Sequence, residues 1–111
     1  MKKNKRVLIL HGLNGSSYPH WQAHLAMDLI KEDFVVSFPE LPNKNSPNLE
    51  AWKDFLKVEL DHFKPDIVVC HSLANILWFH ICDELDINLD KLMLVAPVRN
   101  EVLEDAKSFF P

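Results

Sequence analysis

The fold is decided by residues 66–78, which read DIVVCHSLANILW. This stretch begins as a continuous apolar run that is too short for a helix, which predicts a strand buried on both faces. After Ser72 the residues are again strongly apolar and continue at helical length. Ser72 is therefore predicted to lie at a strand-to-helix turn, with its hydroxyl at the N-terminus of the helix.

A serine on such a turn has two interpretations. In a nucleophile elbow, small-x-Ser-x-small, a tight bend lifts the hydroxyl above the sheet, and the small residues let strand and helix approach closely. Here Cys70 and Ala74 stand where the usual pattern has glycine, so the steric requirement is nearly met although the G-x-S-x-G pattern is not. Alternatively, Ser72 only caps the helix, since serine is among the preferred N-cap residues. This stretch alone leaves both interpretations open.

The composition is that of an ordinary globular domain. Hydrophobic residues make up 48% and charged residues 25% of 111 positions, which predicts one domain with its own core. The formal net charge of -4 gives no reason to expect nucleic acid or an anionic membrane as a partner. The apolar run behind the basic N-terminus stops at Leu10, too early for a signal peptide or a membrane span. Cys70 and Cys82 have no metal or redox spacing and lie in apolar segments, which favours reduced thiols and a cytoplasmic location.

Short apolar strands alternate with amphipathic helices along the whole chain. Strands are predicted at residues 6–10, 34–38, 66–71 and 91–95. Helices are predicted from Trp21 to about Lys31, from Ser46-Pro47 to near Pro65, from Leu73 to about Leu85, and briefly over 102–110. This alternation predicts an α/β fold, namely a three-layer α/β/α doubly wound parallel sheet with strand order 2-1-3-4.

The strand order predicts where a ligand would bind. Doubly wound sheets bind ligands at the carboxyl ends of the strands where the order reverses, here between the first and third strands. The loop from His11 to Ser17 would therefore face the turn at Ser72. That loop holds both glycines of the chain, Gly12 and Gly15, which indicates a positive φ or a close approach of the backbone to something.

This juxtaposition suits acyl transfer. A serine nucleophile needs backbone N–H donors for the oxyanion that forms when it attacks a carbonyl carbon. The expected donors are the amides of Leu13, in the glycine-containing loop, and of Leu73, directly after the serine.

Several stretches, taken in order, resemble one family. They are Leu10-His11-Gly12, His20-Trp21, Phe38 to Asn43, Leu49 to Trp52, and His71-Ser72-Leu73. They resemble the small single-domain serine hydrolases of the YdeN and retinoblastoma-binding-protein type, in the α/β-hydrolase superfamily. The resemblance implies esterase-like or amidase-like hydrolysis of a small ester or amide, without a cofactor or metal, with Ser72 as the nucleophile of a Ser-Asp-His triad. In this family His11 and Gly12 would shape the oxyanion loop, with His71 beside the nucleophile.

The chain departs from the family in one large respect. In this superfamily the triad acid and histidine follow the nucleophile, after two further strands. The sequence ends at Pro111, before either strand, so residues 1–111 are expected to form a single, truncated α/β-hydrolase domain. No residue here can be matched to the triad acid or base. The alternative function is that of a catalytically incomplete module with a binding or structural role. A flavodoxin-like binder of small molecules is a third and weaker possibility, because the sequence contains no recognisable phosphate-binding loop.

Other histidines offer further alternatives. His11 lies in the right loop to serve as a substitute base, whereas His71 is expected to be structural because alternate side chains diverge at the turn. His20 and His24 are one helical turn apart and could share a metal, but Trp21 stands where a metalloprotease motif has glutamate, so packing is the favoured interpretation. All three tryptophans are expected in the core.

The fourth strand, Lys91 to Val95, is expected to be a contact between copies of the chain. With no later strand to cover it, its apolar edge would be open, and open apolar edges pair with other chains. A homodimer through this strand is therefore predicted.

Overall fold

Four parallel strands form the centre of the molecule: β1 (Arg6–Leu10), β2 (Val35–Ser37), β3 (Ile67–His71) and β4 (Lys91–Val95). The computed structural model describes residues 4–13, 15, 20–85, 87–95 and 107–109. The strands lie in the order β2-β1-β3-β4, as the sequence predicts. The register places Leu10 beside Cys70, so the ends of β1 and β3 meet at the point where the order reverses.

Helices cover both faces of the sheet: α1 (Trp21–Lys31), α2 (Leu49–Phe63) and α3 (Leu73–Ile81). On one face, α1 packs on the sheet through Ala26, against Val7, Ile9 and Val69. On the other face, α2 and α3 contribute residues such as Trp52 and Leu77 to a larger core that includes the opposite side of the same strands. Because successive side chains of a strand point to opposite faces of the sheet, the same strands contribute to both cores. This is the three-layer arrangement that was predicted.

Helix α2 begins later than predicted. The side chain of Asn48 accepts a hydrogen bond from the Ala51 amide at 3.1 Å, so Asn48 is the N-cap and the prediction of a start at Ser46-Pro47 was wrong. Asparagine caps as well as serine does, because its carbonyl oxygen satisfies one of the free amides of the first turn.

Helix α3 is shorter than predicted. It ends at Ile81, and a short 3-10 turn at Cys82–Glu84 follows instead of a helix to Leu85. Leu85 packs against the larger core, but its backbone is extended. The apolar pattern alone does not distinguish a helical from an extended residue at this position, so the predicted helix was too long.

One further prediction about burial was wrong. Trp52 and Trp78 are buried, but Trp21 is 37% exposed because it lies on the first turn of α1, at the edge of the core. Cys70 is buried whereas Cys82 is exposed in the 3-10 turn that ends α3. Of the helix predicted over 102–110, only Lys107–Phe109 is described; these residues form a 3-10 turn, and the others lie outside the described residues.

Candidate active site

The backbone of Ser72 has an unusual conformation. Ser72 lies between β3 and α3 with φ 53° and ψ -115°, the angles of the first central residue of a type II′ turn, which glycine usually occupies. For a residue with a side chain this conformation costs on the order of 1–3 kcal/mol and persists only where the surrounding structure imposes it. Strain of this kind clusters at functional sites.

Ser72 does not act as a side-chain cap. It occupies the N-cap position of α3, yet its side chain makes no capping hydrogen bond. A serine that served only as a cap would accept a bond from an amide of the first helical turn. The capping interpretation therefore has no support in the structure.

The strained turn is held by the end of β4. The carbonyl oxygen of Val95 accepts a hydrogen bond from the Ser72 amide at 3.0 Å and another from Nδ2 of Asn75 at 3.1 Å. The Ser72 carbonyl in turn accepts from the Asn75 amide at 3.0 Å. These bonds fix the peptide groups on both sides of Ser72, which is what a strained conformation requires.

Gly12 lies directly against this turn. A Cβ atom added at Gly12 would lie 3.0 Å from Cβ of Ser72, 3.1 Å from the His71 carbonyl oxygen and 3.4 Å from the Leu73 amide nitrogen. No side chain fits there without displacing backbone. The loop after β1 and the turn after β3 are thus in contact, at the switch point where the topology predicts a site.

Gly15 is needed for a different reason. Its φ is 82°, in the region that favours glycine, and its amide donates to the Gly12 carbonyl at 3.2 Å. Leu13 lies inside the turn that this bond closes and is half-buried. Leu13 follows Gly12 and Leu73 follows Ser72, so the two candidate oxyanion donors belong to the two segments that touch. Asn14 and residues 16–19 lie outside the described residues.

His11 joins this loop to the segment after β2. It is 2% exposed, with Nδ1 at 2.6 Å from the Gly12 carbonyl and Nε2 at 2.8 Å from the Leu41 amide. The Leu41 amide can only donate, so Nε2 accepts and Nδ1 carries the proton that is donated to Gly12. Burial lowers the pKa of His11, which keeps the ring neutral. Because both nitrogens are engaged, the structure does not support His11 as a substitute base.

His71, His20 and Trp21 form an aromatic cluster beside the turn. The His71 ring lies 5.0 Å from that of His20 and 5.4 Å from that of Trp21, at steep angles to both. His20 also caps α1, because its Nδ1 accepts from the Gln22 amide at 3.2 Å. Burial lowers the pKa of both histidines, and the nearby His20 lowers the pKa of His71 further. His71 and His20 therefore pack as neutral rings.

The metal alternative has no complete ligand set. Within the ranges that the structure describes, no three or more His, Cys, Asp or Glu side chains are grouped to hold an ion.

The carboxylates near the strand entrances have partners of their own: Asp66 accepts from the Arg6 amide at 2.9 Å, and Asp90 pairs with Lys5. Asp86 lies outside the described residues.

Cys70 does not compete with Ser72 as a nucleophile. Burial raises the pKa of the Cys70 thiol to about 12, so the thiol stays protonated at neutral pH. The thiolate is the reactive form, and a buried protonated cysteine is inert.

Two buried polar side chains escaped the sequence reasoning. Gln22 is fully buried and donates from Nε2 to the Leu10 carbonyl at 3.0 Å, which holds the end of β1. Asn75 is 9% exposed and holds Val95 as described above. The sequence signal that could have identified them is a polar residue on an otherwise apolar helix face. A polar side chain buried on such a face is expected to have a hydrogen-bond partner.

Fold and geometry together define a class of protein: a doubly wound α/β domain with a strained serine on a strand-to-helix turn at its switch point. The family described as serine hydrolase matches residues 7–110, and the chain belongs to that family. The resemblance predicted from the motifs is thereby confirmed.

A Bacillus subtilis protein is similar to this chain in both sequence and structure. The chain is 32% identical over 71 residues to the putative hydrolase YdeN of strain 168, an alignment that covers 63% of this chain and 37% of YdeN. The crystal structure of the ydeN gene product matches with a TM-score of 0.74 at 24% identity, over 94% of this chain and 68% of that chain. The fold is therefore shared, and the sequence alignment spans little more than a third of the relative.

The described helices do not include a membrane span. None of them combines the length and the apolar character that crossing a bilayer requires.

Proposed function

We propose that Ser72 is the nucleophile of a serine hydrolase that cleaves a small ester or amide, with the amides of Leu13 and Leu73 binding the oxyanion. The observation that carries this proposal is the strained Ser72 turn, with Gly12 packed directly against it. We also propose a cytoplasmic location, on the basis of the unpaired cysteines.

The first chemical step would proceed as follows. Oγ of Ser72 attacks the carbonyl carbon, its proton passes to a base, and the carbonyl electrons move onto oxygen, where the two amides stabilise the negative charge. The tetrahedral intermediate then collapses, the alcohol or amine leaves with a proton, and an acyl-serine remains for water to hydrolyse. Losing one oxyanion donor costs about 3–4 kcal/mol in a known hydrolase, so the amide positions matter as much as the nucleophile.

Among the described residues, no hydrogen bond joins a histidine ring to the Ser72 hydroxyl, and three of the six histidines are engaged elsewhere. His11 uses both ring nitrogens, His20 uses Nδ1 as a cap, and His80 bonds to the Phe109 carbonyl at 2.7 Å. In a well-studied serine protease, loss of the histidine lowers kcat about a million-fold. The 111-residue chain alone is therefore expected to hydrolyse esters near the background rate.

A fluorophosphonate probe tests the nucleophile without requiring turnover. Oγ of Ser72 forms the bond to phosphorus, fluoride leaves, and the serine proton is lost to solvent. Without a base the reaction is expected to be slow, but the oxyanion donors should still make Ser72 the one residue on which mass spectrometry finds the label. The matched control is Ser46→Ala, a change in an exposed loop serine that should leave labelling intact, whereas Ser72→Ala should abolish it. Labelling of Ser72→Ala protein at the normal rate would refute the proposal.

A second candidate function has its own support. His11, the histidine in the loop that faces Ser72, has both ring nitrogens engaged and is not free to act as its base, which fits a module that binds without catalysis. A fluorophosphonate reaction no faster at Ser72 than at Ser46 would favour this function.

A further inference from the structure

Trp52 contacts three other segments of the chain. It lies on the first turn of α2 and is fully buried. Its Nε1–H donates a hydrogen bond of 2.7 Å to the Pro42 carbonyl, in the segment after β2. Its indole also meets the His11 ring edge-on, with the ring centroids 5.6 Å apart, and the Phe109 ring, with the centroids 5.2 Å apart. One hydrogen bond and two ring contacts therefore fix the indole.

Trp52 and His11 hold adjacent residues of one segment. The Leu41 amide donates to Nε2 of His11 at 2.8 Å, and the carbonyl of the next residue, Pro42, accepts from Trp52. Because His11 and Trp52 also contact each other, these four residues form a closed ring of contacts. The position of the Leu41 amide is thus tied to the indole N–H, and the tautomer of His11 depends on that amide.

The Nδ1 proton of His11 fixes the peptide between Gly12 and Leu13. Nδ1 donates to the Gly12 carbonyl at 2.6 Å, and the Gly15 amide donates to the same oxygen at 3.2 Å. Because a trans peptide is planar, fixing this carbonyl also fixes the direction of the Leu13 N–H, on the opposite side of the peptide. Donors to the carbonyl oxygen also polarise the peptide, which makes its N–H a stronger donor.

We propose that Trp52 is a positioning residue for hydrolysis at Ser72. The indole N–H holds the segment 41–42, and this segment holds His11 in the tautomer that carries its proton on Nδ1. His11 in turn holds the peptide 12–13 with its N–H directed at the oxyanion. The inference rests on the proposed function, and it assigns a role to a residue outside both loops of the site.

Nuclear magnetic resonance of the His11 ring tests this arrangement without any reaction. In the unaltered chain the ring nitrogens should show the Nδ1–H tautomer, and the Nε2–H tautomer would overturn the proposal, so this measurement needs no variant to fold. Trp52→Phe keeps an aromatic ring in the core but removes the indole N–H. The Leu41 amide should then lose its alignment, and the His11 ring should populate both tautomers. An unchanged single tautomer in the folded variant would also overturn the proposal.

The rate of fluorophosphonate labelling at Ser72 tests the consequence for the site. A displacement of about 1 Å caused far from the chemistry can cost about 100-fold in rate, and Trp52→Phe should slow labelling by roughly tenfold or more. The matched control is Leu60→Val, about two turns further along α2, where the side chain belongs to the same core. It should lower stability but leave both the labelling rate and the His11 tautomer unchanged. Equal losses of labelling in the two variants would contradict a positioning role.

A double-mutant cycle tests whether Trp52 acts through His11. His11→Gln alone should slow labelling, and adding Trp52→Phe should slow it no further, because both changes interrupt the same set of contacts. Additive losses would overturn the proposal. An unaltered chain that does not label at Ser72 would refute the proposed function and this inference with it. Labelling of Ser72 that the folded Trp52→Phe variant leaves unchanged would refute this inference alone.

Discussion

A methyl group at Gly12 should separate the two segments that form the candidate site. The Cβ atom of Gly12→Ala would lie 3.0 Å from Cβ of Ser72 and 3.1 Å from the His71 carbonyl oxygen. Ordinary contacts between such atoms are about 3.5–4.0 Å, so the two backbones must move apart by several tenths of an ångström. Neither neighbour is the end of a flexible side chain, and the Ser72 turn is already held by Val95. The strain must therefore appear as a displacement of the loop.

The expected cost follows from this overlap. Overpacking of this size typically lowers the free energy of unfolding by about 1–3 kcal/mol, which urea denaturation measures from the midpoint and slope. The displacement also moves the Leu13 amide away from Ser72. The second-order rate of fluorophosphonate labelling at Ser72 should fall by a factor of about 100, as for the loss of one oxyanion donor.

Gly15→Ala is the matched comparison. Its φ of 82° makes any side chain costly, by roughly 1–2 kcal/mol, but the atoms nearest to the added Cβ belong to the Lys44 side chain, with Cδ at 3.0 Å, and that side chain can move. This variant should lose similar stability and still label much faster than Gly12→Ala. If both variants label equally, or if Gly12→Ala labels at the normal rate, the contact between Gly12 and Ser72 does not position the site.

Three further predictions concern the surrounding residues. His11→Ala should lower the free energy of unfolding by about 2–6 kcal/mol, because the buried Gly12 carbonyl and Leu41 amide each lose a hydrogen-bond partner. Thermal and urea denaturation measure this loss, and an unchanged midpoint would contradict it. The folded-state pKa of His11 lies below its ordinary value, so the chain should lose stability as the pH falls below about 6.5, and His11→Gln should show a smaller loss over the same range in urea titrations at each pH. Asn75→Ala should slow probe labelling of Ser72 while leaving α3 folded by circular dichroism, because the Val95 carbonyl keeps only one of its two donors; unchanged labelling would remove Asn75 from the site.

The local pattern of the sequence determined the architecture. Apolar runs of strand length alternating with 3.6-residue periodicity specify β/α units, and the right-handed crossover leaves few ways to arrange them. The switch point follows from that order, which is why the segments around Gly12 and Ser72 could be placed side by side from sequence. The family could be predicted from motifs in order along the chain, since each motif is local.

Only the tertiary structure decided how the segments around Gly12 and Ser72 contact each other and their surroundings. The strained angles of Ser72 depend on a carbonyl 23 residues later, and the tautomer of His11 depends on an amide 30 residues later. The exposure of Trp21 depends likewise on what packs beside it. A periodic pattern reports which face of an element is apolar, but it carries no information on which distant donor meets which acceptor. The strain at Ser72 and the tautomer of His11 are properties of such non-local pairs, and they exist only once the chain has folded.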